Sequence, residues 1–255
     1  MSQLSKDFKN RNYPRYWWHK FHENNFEPDI YRLLTHAQRR VIKKWFLTTD
    51  RDHSSGEINV SAIGIICSLI NSSKVKNVVE LGRWTGYSTF FIGLTLKRMG
   101  KIRGQDRTLF SFDIREDLTN FSEKYLRKLK LLGQVKLYLA DSGGEISTQL
   151  YKNAASGKID VLLIDTDHTH KQAMRDLSNW YELVAPSGFI VLHDSSIWAT
   201  KLGSTPDAGV RIAINEFFLN KGDSILRIND FSENHPDMTS VYPDGCGLTI
   251  IQKTM

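Results

Sequence analysis

Apolar residues in this chain change their spacing as the sequence proceeds. From Asp29 to Phe46, the residues Ile30, Leu33, Leu34, Ala37, Val41, Ile42 and Trp45 recur at three and four, which predicts a helix with one buried stripe. Residues 48–57 are polar and predict a loop, and Val60 to about Ile70 is apolar on most sides and predicts a buried helix. From Asn77 onward, short β-branched runs alternate with helix-like segments. The runs are Asn77–Gly82, Leu109–Asp113, Val135–Ala140, Val161–Asp165 and Phe189–His193; the intervening helices are Thr89–Met99, Leu118–Leu132, Gly144–Lys152 and Lys171–Val184. Such alternation needs right-handed crossovers and gives a doubly wound parallel sheet covered on both faces. The ending differs: a helix near Gly209–Asn220 precedes Ser224–Ile228 and Leu248–Gln252, with no helix between those two runs. An antiparallel C-terminal strand inserted into the sheet is expected.

Composition narrows this further. With 255 residues, 40% of them hydrophobic, the chain can close a proper core, and disorder is excluded for most of it. Two cysteines, Cys67 and Cys246, make no disulfide scaffold and point to a reducing cytoplasm. The first residues lack the apolar stretch of a secretory signal, and the longest apolar run, Ala62–Ile70, falls well short of the roughly 20 residues a membrane span needs. A soluble protein with no membrane partner is expected. The net charge of +6 is concentrated at the start, where residues 1–50 hold ten Lys and Arg against five Asp and Glu. Within that region Asn12–Lys20 mixes aromatics with cations. The segment reads either as an anchor for a terminal extension or as an arm for nucleic acid, and the anchor is favoured. The chain therefore divides into a basic, aromatic helical extension over residues 1–53 and an α/β domain over residues 54–255.

Chemistry concentrates where doubly wound sheets bind ligands, beyond the carboxyl ends of the strands. Glu80, Asp113, Asp141, Asp165 and Asp194 each follow an apolar run, and an acid beside a core has to face something polar. The first turn, Glu80-Leu81-Gly82-Arg83-Trp84-Thr85-Gly86-Tyr87-Ser88-Thr89, sets two glycines between a strand and a helix, where a ligand can approach backbone. Trp84 stands where a dinucleotide fingerprint has its middle glycine and crowds out a pyrophosphate. Asp113 is placed to bind ribose hydroxyls. Together these predict a nucleoside ligand without a diphosphate, and the glycine pattern argues against a nicotinamide oxidoreductase.

The turn Glu80-Leu81-Gly82-x-x-x-Gly86-Tyr87-Ser88 resembles the first motif of class I S-adenosylmethionine (SAM) methyltransferases, in particular the metal-dependent O-methyltransferases of the catechol and caffeoyl-CoA type. Ile164-Asp165-Thr166-Asp167-His168, Leu183-x-x-Pro186-x-Gly188 and Val191-Leu192-His193-Asp194 are similar to their second half, and more so to macrolide sugar O-methyltransferases and cephalosporin-hydroxylase-like proteins. The resemblance covers about residues 54–252. It implies a Rossmann-like, mostly parallel seven-stranded sheet and SAM as cofactor. It further implies that Glu80, Gly82 and Gly86 shape the SAM pocket, that Ser88 bonds the methionine carboxylate, and that Asp113 holds the ribose. Asp141 and Ser142 would lie near the adenine, and Asp165 near the methionine ammonium. The family's metal ligands fall on Asp165 and on the pair His193-Asp194, where the family has Asp-Asn or Glu-Asp, and its general base falls on His168.

The chemistry follows from these residues. A sulfonium methyl is already activated, so the enzyme must align a hydroxyl behind it and make that oxygen electron-rich. An ion held by Asp165 and Asp194 would lower the hydroxyl pKa, while His168 would take the proton. Oxygen ligands favour Mg²⁺, and an imidazole shifts preference toward Mn²⁺ and its neighbours. Neighbouring strand residues point to opposite faces, so His193 and Asp194 can share one ion only if the strand ends there. His170 is an alternative base, whereas Asp176 and Trp180 read as packing and surface. The expected acceptor is a hydroxylated small molecule, sugar or aryl, walled by Ser54–Glu57 and Ser196–Gly209, and self-association stays open. Two alternatives accompany this reading: an RNA ribose 2′-O-methyltransferase and a non-catalytic SAM-binding subunit.

Overall fold

A computed structural model of the chain describes residues 28–52, 56–72, 74–103, 107–202, 209–228 and 245–254. The aromatic segment 12–20, residues 53–55, residues 203–208 and the connection 229–244 lie outside the described residues. Among the described residues, seven strands form one sheet: β1 (Asn77–Leu81), β2 (Thr108–Asp113), β3 (Val135–Leu139), β4 (Ile159–Ile164), β5 (Val184–His193), β6 (Ser224–Ile228) and β7 (Leu248–Gln252). Their order is β3-β2-β1-β4-β5-β7-β6. The first five are parallel, and β7 runs antiparallel between β5 and β6. The doubly wound sheet and its inserted C-terminal strand thus match the pattern in the sequence.

Eight α-helices among the described residues pack around it: α1 (Asp29–Arg32), α2 (His36–Arg51), α3 (Val60–Ser72), α4 (Tyr87–Arg103), α5 (Glu116–Leu129), α6 (Glu145–Ala154), α7 (His170–Trp180) and α8 (Gly209–Phe218). Successive strand residues point to opposite faces, so each central strand feeds two cores. Val78, Val161, Leu163 and Val191 join the core built with α1 to α5; Val79, Leu81, Leu162, Ile164 and Leu192 join the one built with α6 to α8. By the same alternation Glu80 faces the α4 side.

Three of the differences from the sequence reading have a clear local cause. The helix expected over Asp29–Phe46 is split, because Thr35 caps a new start: its hydroxyl accepts from the Gln38 amide, and Gln38 Oε1 accepts from the Thr35 amide at 2.8 Å. The same helix continues through Arg51, where polar composition predicts a loop. In β5, Val184 pairs with Ile159 but the next pairing is Phe189 with Val161. Residues 185–188, with Ser187 at φ 61°, bulge out of the ladder and delay the apolar signal to Phe189.

Helices α1 and α2 are built into the larger core. Trp45 and Tyr31 are fully buried. The Trp45 indole N–H donates to the Thr85 carbonyl at 2.9 Å, and the Tyr31 hydroxyl lies 2.6 Å from that of Tyr87. Both contacts grip the turn between β1 and α4 from behind. Trp45→Phe, which keeps a ring but deletes the donor and part of the volume, is expected to cost ~1–3 kcal/mol in urea unfolding. A loss below ~0.5 kcal/mol would show the turn to be held by other means.

Candidate active site

The sheet reverses its strand order at β1, which lies between β2 and β4, so a crevice opens beyond their carboxyl ends. A cleft of about 690 Å³ occupies it. Among the residues expected to bind ligand, Gly82, Ser88, Asp113, Asp141, Ser142, Asp165 and His168 line this cleft. Glu80, Gly86, His193 and Asp194 do not line it but support residues that do.

Glu80 is fully buried beneath the first turn. Its carboxylate accepts from Ser88 Oγ at 2.5 Å, Thr89 Oγ1 at 2.7 Å and Ser111 Oγ at 2.5 Å. Burial pushes its pKa up, against the pull of those hydroxyls. The Ser88 hydroxyl hydrogen is therefore directed at Glu80. The two glycines serve chain packing: a Cβ on Gly82 would sit 2.0 Å from the Asp165 carbonyl oxygen, and one on Gly86 would meet Ser122 Oγ at 2.8 Å and the Phe90 ring. Gly82 lets the ends of β1 and β4 converge, a reason that spacing alone does not reveal.

Asp113 fixes the same turn from β2. Its Oδ2 accepts from the amides of Arg83 and Trp84, both at 3.0 Å, and its Oδ1 accepts from the Arg115 amide at 2.8 Å. Trp84, at φ 47°, projects its half-open ring into the cleft, with the Arg115 guanidinium 5.8 Å from its centroid. Arg83 is buried and donates to the Ser111 carbonyl at 2.7 Å and to Thr119 Oγ1. Of the expected acceptor walls, Gly56 and Glu57 line the cleft, together with Ile58.

On the opposite wall, Asp141 Oδ2 pairs with Arg175 at 2.8 Å and its Oδ1 accepts from the Gly143 amide. Burial raises the Asp141 pKa, but the Arg175 bond and the amide outweigh it, and the group sits below the usual aspartate value. Ser142 Oγ accepts from Gln172, and its carbonyl accepts from the Trp180 indole. Arg83, Trp84, Arg115, Gln172 and Arg175 also line the cleft. Arg115, Gln172 and Arg175 belong to no motif, and only helical placement near a strand end could have singled them out. Asp176, which the sequence places with packing and surface, is fully buried.

At the far end of β5 the strand stops at His193, and Asp194 turns to φ 53°. This is the condition under which both residues can reach one point. Asp194 Oδ2 lies 2.9 Å from His168 Nε2 and 3.1 Å from His193 Nδ1, and Asp165 Oδ1 lies 3.3 Å from the same His193 nitrogen. Burial opposes ionisation of Asp194, but the two imidazoles hold it well below the normal carboxylate range. For His168 burial lowers the pKa, and Asp194 and Asp165 more than compensate, so the net shift is upward. One ligand atom each from Asp165, His168 and Asp194 lie within 4.8 Å of one another. His193 is outside that trio. His170, the alternative base, is tied to Glu216 at 2.7 Å, and Thr169 caps α7.

This sheet order is that of a Rossmann-like methyltransferase fold. Residues 79–195 match the family model described as a methyltransferase domain, Methyltransf_24. Caffeoyl-CoA O-methyltransferase 1 of Eucalyptus globulus is 24% identical over 197 residues, covering 75% of this chain and 71% of that one. An O-methyltransferase from Bacillus cereus in complex with S-adenosylhomocysteine (SAH) superposes with TM-score 0.62 at 14% identity, covering 86% of this chain and 92% of that one. TomG of Streptomyces achromogenes, an O-methyltransferase involved in tomaymycin synthesis and solved with SAM, gives 0.61 at 13%, covering 87% and 91%. Residues 79–195 thus carry a methyltransferase domain, and the chain has the fold of class I SAM-dependent O-methyltransferases and is similar in sequence to the caffeoyl-CoA enzymes. Among the described residues no helix is long and apolar enough to cross a membrane.

Proposed function

We propose that the enzyme methylates a hydroxyl of a small molecule, with His168 as the base and Asp194 as the group that orients it. The 2.9 Å contact between His168 Nε2 and buried Asp194, beside the cleft, carries this reading. SAM, when bound, supplies a methyl already activated for attack. Asp194 holds the hydrogen on Nε2, which leaves Nδ1 of the half-buried ring to accept a proton from the acceptor hydroxyl. Asp113 and the Asp141–Ser142 wall suit the ribose and adenine, and Asp165 the methionine ammonium. Ile58, Trp84 and Ile114 give the cleft an apolar face for an aryl ring or the C–H face of a sugar.

A second reading rests on the ligand trio. Asp165, His168 and Asp194 offer two carboxylates and one imidazole, a donor set that fits Mg²⁺ or Mn²⁺. Such an ion would lower the pKa of a coordinated hydroxyl. His193 would then position the two carboxylates rather than bind. Neither cysteine is in a disulfide, which suits a cytoplasmic enzyme. The ribose-methylating alternative rests on residues 12–20, outside the described residues, so the small-molecule reading is the one with site geometry behind it.

Labelled-methyl transfer to catechol-type and sugar hydroxyls, run with chelator and then with Mg²⁺ or Mn²⁺ restored, tests both readings. Label on a hydroxyl is expected. Loss with chelator and recovery with the ion supports the trio as a metal centre, whereas insensitivity supports His168 acting alone. Label on nitrogen or carbon only contradicts the proposal.

A further inference from the structure

We propose that Asp176 is a positioning residue for the cofactor, tying the loop after β3 to the loop after β4 from inside the fold. This rests on SAM binding in the cleft. Asp176 sits on α7 with no exposed surface. Its Oδ2 accepts from Thr166 Oγ1 at 2.9 Å, on the loop that carries Asp165 and His168. Its Oδ1 accepts from Gln172 Nε2 at 3.0 Å. That same nitrogen donates to Ser142 Oγ at 3.2 Å, on the other loop. Gln172 Oε1 in turn accepts from Arg175, whose guanidinium pairs with Asp141. Thr166, Gln172, Ser142, Arg175 and Asp141 all line the cleft, whereas Asp176 does not and bonds Thr166 and Gln172 from within the fold.

The carboxylate is poorly suited to its surroundings as a stabilising group. Burial pushes its pKa up to about 6, in spite of the bonds from Ser142, Thr166 and Gln172. Above that pH the fold carries a buried charge that an uncharged side chain would spare it. A carboxylate instead contributes two acceptor oxygens at a fixed angle, so Thr166 and Gln172 can be held at once. An amide has one acceptor oxygen, which could serve Gln172, but it would offer Thr166 an N–H and require that hydroxyl to accept instead of donate. Residues that cost stability while fixing a site are expected where function needs the geometry.

The test pairs SAH calorimetry with thermal unfolding of the cofactor-free protein at pH 8. For Asp176→Leu, which has similar branching and no acceptor, we expect the SAH Kd to rise by ~10-fold or more with Tm at or above that of the unsubstituted protein. A Kd change below about threefold, or a Tm that falls in step with the loss of affinity, overturns the proposal. Thr166→Val and Thr166→Ser keep it testable if Asp176→Leu does not fold: Val, which deletes the donor to Asp176, should weaken SAH binding, and Ser, which keeps it, should restore affinity. Equal affinities for those two variants overturn the proposal. Failure of the unsubstituted protein to bind SAH would instead overturn the cofactor reading on which it depends.

Discussion

His168→Ala is expected to lower methyl transfer by ~10²–10⁴-fold while leaving SAH affinity nearly unchanged. The size follows from the proton that must be moved. At neutral pH an acceptor hydroxyl keeps that proton, and among the described residues no other histidine is poised to remove it. His170 is held by Glu216, and His193 is buried between Asp165 and Asp194. The selectivity follows from place, because His168 sits at the Asp194 end of the cleft, whereas the turn, Asp113 and the Asp141–Ser142 wall suit the cofactor. The substitution leaves Asp194 one imidazole partner in His193, so the carboxylate keeps a counter-charge and the fold survives. Steady-state rates alongside SAH calorimetry give the comparison. Undiminished turnover would remove His168 from the chemistry, and a parallel loss of SAH binding would make it a cofactor residue.

Gly82→Ala is expected to abolish SAH binding and to destabilise the protein by more than ~4 kcal/mol. Two penalties add. At φ 80° an L-residue is strained, and the new Cβ would lie 2.0 Å from the Asp165 carbonyl oxygen and 2.7 Å from its carbon. Those are backbone atoms of the neighbouring strand end, fixed by the Asp165 amide donating to the Leu81 carbonyl at 2.9 Å, so no flexible side chain can yield. Relief requires β1 and β4 to part where the cleft begins. Chemical denaturation and SAH titration read both effects. An alanine variant with near-normal stability would show that the strand ends separate cheaply, contrary to their close packing.

Much of the fold and the cleft is legible in the sequence for identifiable reasons. Strands buried on both faces read as continuous apolar runs, and acids closing those runs mark the strand ends, so Asp113, Asp141 and Asp165 fall in the cleft without any tertiary information. Other features depend on what the chain meets in space. Gly82 reads as room for a ligand because sequence spacing cannot show that β4 passes against it. Asp176 lies four residues from Trp180 on one helix, a spacing equally suited to solvent or core, and only the neighbouring loops make it buried and polar. The break before α2 is encoded in Thr35 and Gln38 but masked by the apolar stripe running across it. The bulge in β5 hides its beginning because Pro186, Ser187 and Gly188 erase the alternation.

Whether the strand-end acids surround SAM is decided by a crystal structure with SAH bound. Electron density for SAH is expected between the ends of β1 and β4, with ribose hydroxyls on Asp113, adenine against Asp141 and Ser142, and the homocysteine end toward Asp165. SAH bound elsewhere on the surface, or a cleft closed by its own side chains, would contradict this placement.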